Sequence, residues 1–242
     1  MKGNLDISNY LNDVLQDWEE SWDDFPNNTY PRDQWPIPFF GNPDKAVVAT
    51  VGVNPSSLEF ANARKWNLVK HKAEWQLRLE HYFDGDFAPD DWFGPWRAGL
   101  AELNISYESG TAAHFDVSYR STTAMFRNEE TDPREFRRMV EKDVKWLYCL
   151  LPRCPNLRGL LVFGPIVRAN GRKENLASFV RTNAPRHGFK VLPDGGLQHC
   201  KTAKNYFLHE VNAPRGGTIT EQVVKNLCLH KTALLKRIAG IE

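Results

Sequence analysis

The chain has 242 residues, 41% hydrophobic and 25% charged, which is enough apolar surface to bury a core and argues against disorder. No apolar run approaches the roughly 20 residues that span a bilayer, and Met1-Lys2-Gly3-Asn4-Leu5-Asp6 lacks the apolar stretch of a signal peptide, so a cytoplasmic protein with no membrane attachment is expected. The net charge of +1 lacks the basic signature of a nucleic-acid binder, although acidic residues crowd into 1–24 and Lys and Arg predominate from Arg134 onward, leaving room for a basic face.

Ile7, Leu11, Leu15, Trp18 and Trp22 recur at helical spacing and predict an amphipathic helix over 7–24, capped by Asp6 or Ser8. The Pro-, Asn- and aromatic-rich stretch 27–43 suits an irregular segment packed on the body. Ala46 to Val53 is a continuous β-branched run that predicts a buried strand opening into a loop at Asn54-Pro55-Ser56-Ser57. Helices are expected over 62–82 and 91–103, a short strand at 114–118, and a long helix over 133–151 with Pro133 in its first turn. Gly159 to Gly164 predicts a second buried strand that turns directly into a helix; 189–192 and 206–208 predict two more, and 219–238 a closing helix.

Strands alternating with helices predict an α/β fold: a three-layer αβα sandwich on a central, mostly parallel sheet of four or five strands. A single domain over 1–242 is expected, with 1–35 as an N-terminal helical extension. Cys149, Cys154, Cys200 and Cys228 form no CxxC pair and predict buried thiols rather than disulfides or ligands to zinc or an iron–sulfur cluster; neither metal nor cofactor is expected. In such sheets the ligand site lies beyond the carboxyl ends of the strands.

Three stretches fall there. In Gly52-Val53-Asn54-Pro55-Ser56-Ser57, followed by Phe60, the glycine admits close backbone approach and the proline stiffens a turn that presents short polar side chains. Alone, this is ordinary turn chemistry as readily as a site. Leu160 to Arg168 is a strand stopped by glycine, and for Leu161 and Val162 the reading is sheet core. In Phe207-Leu208-His209-Glu210-Val211-Asn212-Ala213-Pro214-Arg215-Gly216-Gly217 a histidine ends an apolar run and a basic glycine loop follows, which suits either a structural histidine and a turn or a phosphate contact.

Taken in order, these stretches resemble the uracil-DNA glycosylase superfamily over roughly residues 36–235. GVNPSS at 52–57 is similar to that family's water-activating motif in the asparagine form of its mismatch-specific branch, and LLVFGPIVRANG at 160–171 to the strand that ends in glycine. HEVNAPRGG at 209–217 stands where the family has a His-Pro-Ser loop, and Trp92-Phe93-Gly94-Pro95-Trp96-Arg97 fits the order of a helix start.

The resemblance implies a monomeric enzyme that binds DNA, flips a nucleotide out of the duplex and hydrolyses its glycosidic bond. It implies Asn54 and His209 as catalytic residues, one holding the water and the other donating to the base oxygen. Gly52, Val53 and Phe60 would bind the base, Phe60 by stacking. Ser56, Ser57, Pro214, Arg215 and Gly216 would contact DNA. The loop lacks the family's Pro-Ser after the histidine, which leaves His199 as the alternative to His209.

In uracil-excising relatives a strand midway along the chain ends in an asparagine that reads the base, and Asp116 falls at that place. An ionised carboxylate only accepts hydrogen bonds, so Asp116 favours a base with an exocyclic amine, as in cytosine, over uracil. Excising ordinary cytosine would harm the host, so a modified cytosine such as phage DNA carries is the expected target. A buried carboxylate paired with Arg120 or with a backbone N–H is the structural alternative. Uracil or mismatch repair, a DNA-binding module without catalysis, and a nucleotide-processing enzyme are the competing functions; the absence of GxGxxG and GxxxxGK[ST] cradles lowers the last.

Overall fold

A computed structural model describes residues 7–25, 34–55, 71–84, 92–122, 132–167, 172–211 and 219–240. Its strands are β1 (Phe39–Phe40), β2 (Val48–Gly52), β3 (Ala112–Asp116), β4 (Gly159–Phe163), β5 (Pro165–Val167), β6 (Lys173–Asn175), β7 (Phe189–Val191), β8 (Leu197–His199) and β9 (Asn205–Val211). Its α-helices are α1 (Ile7–Glu20), α2 (Lys72–Glu80), α3 (Phe93–Ala101), α4 (Pro133–Leu150), α5 (Leu176–Asn183), α6 (Ile219–Leu229) and α7 (Lys231–Ala239).

The central sheet has seven strands in the order β1-β3-β2-β4-β9-β8-β7. β3, β2, β4 and β9 run parallel, β1 is antiparallel to β3, and β8 and β7 continue antiparallel beyond β9. Every residue of β2 is buried, as expected of a β-branched run covered on both faces. The sheet is larger than the four or five strands expected, because β1 and β8, only two and three residues long, are too short to show a period.

Of the four parallel strands, the first in the chain, β2, lies between the second, β3, and the third, β4. The chain therefore leaves β2 toward one side and returns on the other. In open α/β sheets ligands bind at such a reversal, at the carboxyl ends of the strands, which here are those of β2 and its neighbours.

Helices flank this sheet. α4 is capped by Asp132, whose side chain accepts from the Arg134 N–H, with Pro133 in the first turn. Its buried face of Phe136, Met139, Val140, Val144 and Leu147 follows helical spacing, and α1 packs against it. α3 and α6 pack tightly together because Gly99 has no side chain: a Cβ there would lie 2.7 Å from Leu227 Cδ1 and 2.9 Å from Val223 Cγ1.

Three further expectations are corrected. The turn at Gly164, whose φ of +98° suits glycine, leads into the antiparallel pair β5/β6 rather than a helix; α5 starts only after Asn175 caps it. The closing helix is two helices separated at His230. Of the four cysteines, all free, Cys154 is buried and Cys149 partly so, but Cys200 and Cys228 are exposed. Among the described residues, no helix is long and apolar enough to cross a membrane.

Candidate active site

The carboxyl ends of β2 and β3 are bonded together. Val117 N–H donates to Gly52 O at 3.1 Å and Ser118 N–H to Val53 O at 2.8 Å. These bonds place Asn54, half-buried, beside the segment that leaves β3. Its side-chain nitrogen donates to the carbonyls of Pro55 (3.0 Å) and Arg120 (3.3 Å) and to Thr122 Oγ1 (3.3 Å). Two of these neighbours are carbonyls that can only accept, so the amide nitrogen must face them and the amide oxygen points away. That oxygen is a fixed acceptor at the carboxyl end of β2.

Asp116 ends β3 and is buried, its side chain only 1% exposed. Residues i and i+2 of a strand share a face, and His114 Nε2 accordingly lies 3.3 Å from Asp116 Oδ1. The other oxygen, Oδ2, is buried without a hydrogen-bond partner among the described residues. Burial raises the Asp116 pKa above the ordinary carboxylate range, and the adjacent His114 opposes that rise. The expected alternative partner, Arg120, is engaged elsewhere: its Nε lies 3.2 Å from Asp143 Oδ2, and its Nη2 donates to Tyr119 and Ser21.

His114 is held from all sides. Its Nδ1 lies 2.9 Å from Thr50 Oγ1, which in turn lies 2.6 Å from Tyr107 Oη. Phe40 stacks on the ring at 6.0 Å between centroids, Phe93 meets it edge-on at 5.3 Å, and Trp92 leans over it at 4.7 Å. Gly52 makes room for the pair: a Cβ there would lie 3.0 Å from Asp116 Oδ1 and 3.1 Å from His114 Nε2. His114 was not among the residues expected at the site, although its position two residues before Asp116 was the signal that would have found it.

His209 lies elsewhere. It falls inside β9, two residues before the strand ends, and pairs across the ladder with Leu161, which pairs with Thr50. It is thus level with Thr50 and two strands from β2, about 10 Å at ordinary strand spacing. Its Nε2 lies 2.9 Å from Asn226 Oδ1 on α6, and burial lowers its pKa. A neutral ring has one N–H, and Asn226 takes it, so none remains for a base.

His199 is at the opposite end of the sheet, since β8 runs antiparallel to β9 and its neighbour Gln198 pairs with Asn205, the first residue of β9. Its Nδ1 bonds Thr202 Oγ1 at 2.8 Å. Gly52, Val53, Asn54 and Asp116 are therefore brought together, while His209 and His199 stand apart. Ser56, Ser57, Phe60, Pro214, Arg215 and Gly216 lie outside the described residues. Among the described residues, no group of three or more His, Cys, Asp or Glu side chains is placed to hold a metal ion.

Neither the models of known protein families nor curated protein sequences match the chain.

Proposed function

We propose that the chain is a monofunctional DNA glycosylase of the uracil-DNA glycosylase superfamily: a three-layer αβα sandwich that works as a cytoplasmic monomer without metal or cofactor. Its target is a modified cytosine, as in phage DNA. The observation that carries this reading is the fixed Asn54 amide, whose nitrogen is engaged by the Pro55 and Arg120 carbonyls and whose oxygen has no partner among the described residues, at the end of the strand next to the one that ends in the buried Asp116 carboxyl.

Flipping brings the nucleotide out of the stack at a cost of about a few kcal/mol. Asn54 Oδ1 accepts a hydrogen bond from water and aims its oxygen at C1′. That oxygen forms the new bond, and the C1′–N bond breaks with its electron pair leaving on the base. One water proton stays on the sugar hydroxyl and the other ends on the released base. An amide cannot take that proton at neutral pH, so Asn54 positions the water rather than deprotonating it.

Asp116 reads the amino group. Burial shifts it toward its protonated form, with His114 opposing that shift, and so works against the negative charge that would oppose a departing anionic base.

The test is abasic-site formation, read as alkali-labile strand breaks, on matched DNAs carrying uracil, cytosine, 5-hydroxymethylcytosine or its glucosylated form. Breaks with a modified cytosine alone, lost in Asn54→Ala, support the reading; breaks with uracil alone return the protein to repair. One observation favours a second reading, a DNA-binding module without catalysis: the ring of His209, expected to aid the departing base, is committed to Asn226. DNA affinity with no base release from any of the four would support it.

A further inference from the structure

We infer that His114 is the positioning residue of the base pocket: it holds Asp116 by Oδ1 and so leaves Oδ2 as the one open acceptor for the exocyclic amine of a nucleobase. The inference rests on the reading of these strand ends as a base-binding site and adds a residue to it.

Two observations carry it. The first is the 3.3 Å contact between His114 Nε2 and Asp116 Oδ1, from a ring fixed by Thr50 at its other nitrogen. The second is the orphaned Oδ2. A buried acceptor with no donor carries an uncompensated desolvation cost, which a ligand N–H would relieve. Arg153 Nε is the other buried polar atom left without a partner among the described residues, but it lies on the turn after α4, away from these strand ends.

The arrangement works in either protonation state. If the proton between the two groups sits on Nε2, the ring donates to Oδ1; if it sits on Oδ1, the ring accepts. Oδ2 is an acceptor in both cases. Around the couple stand Thr50 and Gly52 on β2, Phe40 on β1, Phe93 on α3, Trp92 just before it, and Tyr107 behind Thr50. Among these, none but Tyr107 titrates. Trp92 remains 38% exposed, so the rim beside the couple offers an aromatic surface to an incoming ring.

The ligand class is therefore a base with an amino group on its pairing edge, cytosine or a 5-substituted cytosine, and not uracil, whose oxygen would face Oδ2 acceptor to acceptor. The experiment is an NMR-monitored titration of the full chain with free cytosine and free uracil, repeated for Asp116→Asn, His114→Gln and His114→Phe, with melting curves for each. Cytosine is expected to bind about tenfold or more tightly than uracil, and Asp116→Asn to reverse that preference. His114→Gln restores a hydrogen-bonding group to Oδ1 and should keep cytosine binding. His114→Phe fills the aromatic cage but offers no polar atom and should lose it.

A ring that merely fills space predicts the opposite order, with Phe tolerated and Gln not. Retention of binding in His114→Phe, equal binding of the two bases, or binding of neither overturns the inference. Should His114→Phe fail to fold, His114→Gln decides: retained cytosine binding supports the positioning role and its loss overturns it. The expected titration result with no base released from any DNA would leave the positioning role standing and remove the glycosylase reading; base release that His114→Phe does not alter would do the reverse.

Discussion

Gly52 and Asp116 are paired across the β2/β3 ladder so closely that a methyl group on the glycine would lie 3.0 Å from the carboxyl oxygen Oδ1. Gly52→Ala should therefore push Asp116 and His114 apart. Overpacking of this kind costs about 1–3 kcal/mol, to be read from urea unfolding, and cytosine binding should be lost with it. A variant as stable as the parent that still binds cytosine would show that the couple tolerates a methyl group at this point.

Asn54 answers to its neighbours as an amide. In Asn54→Asp a carboxylate oxygen would replace the nitrogen that donates to the Pro55 and Arg120 carbonyls, setting acceptor against acceptor. The expected loss is about 1–3 kcal/mol of stability at neutral pH, shrinking in acid as the new carboxyl is protonated. Equal melting temperatures for parent and variant at pH 7 would contradict the orientation assigned to the amide.

Asp143 titrates against stability. Burial raises its pKa to about 6, while Arg120 and the Ser118 hydroxyl bond pull it back. A carboxyl whose folded pKa is raised binds more protons folded than unfolded between about pH 4 and 6. Its contribution is complete below the unfolded pKa and is lost as pH rises through about 6. Asp17, whose pKa is lowered by its bonds from Lys145, Tyr119 and Trp146 against the effect of burial, acts in a lower window, its contribution being lost as pH falls. The stability of the parent relative to Asp143→Asn should therefore fall between pH 4 and 7, by on the order of 3 kcal/mol. A gap that is constant or widens with pH would contradict it.

His209 is expected to matter for stability rather than for base release. Removing its bond in Asn226→Ala should cost about 1 kcal/mol, and His209→Gln should leave the rate of base release largely unchanged. Because burial depresses its folded pKa, its contribution is present above the ordinary histidine pKa and is lost as pH falls through the depressed value. The parent should thus lose stability below about pH 6.5 more steeply than His209→Gln. Base release abolished in His209→Gln would restore the role that the resemblance implies.

The long apolar runs were legible because burial on both faces leaves a near-continuous run of apolar residues, as in Val48–Gly52 and Gly159–Phe163. Asn54 and Asp116 were legible in the sequence through the family resemblance, Asn54 in the turn after β2 and Asp116 at the end of β3. The pair Phe39–Phe40 and the strand Leu197–His199 were not, since two or three residues carry no period. The glycine that stops β4 at Gly164 suits a turn into a helix or into a hairpin equally, and here it opens the hairpin β5/β6. His114 was missed because its role depends on Thr50, 64 residues away, and on an aromatic cage drawn from β1 and the start of α3. The engagement of Arg120 by Asp143 likewise joins residues from different elements, which no local pattern reveals.

Whether Asn54 positions water for base excision is decided by single-turnover base release from a duplex with one modified cytosine. The parent chain is compared with Asn54→Ala on DNAs containing 5-hydroxymethylcytosine or its glucosylated form. Abasic-site formation by the parent and a fall of about 100-fold or more in Asn54→Ala are expected, with DNA affinity retained. No release from either DNA, or equal release by parent and variant, would contradict it.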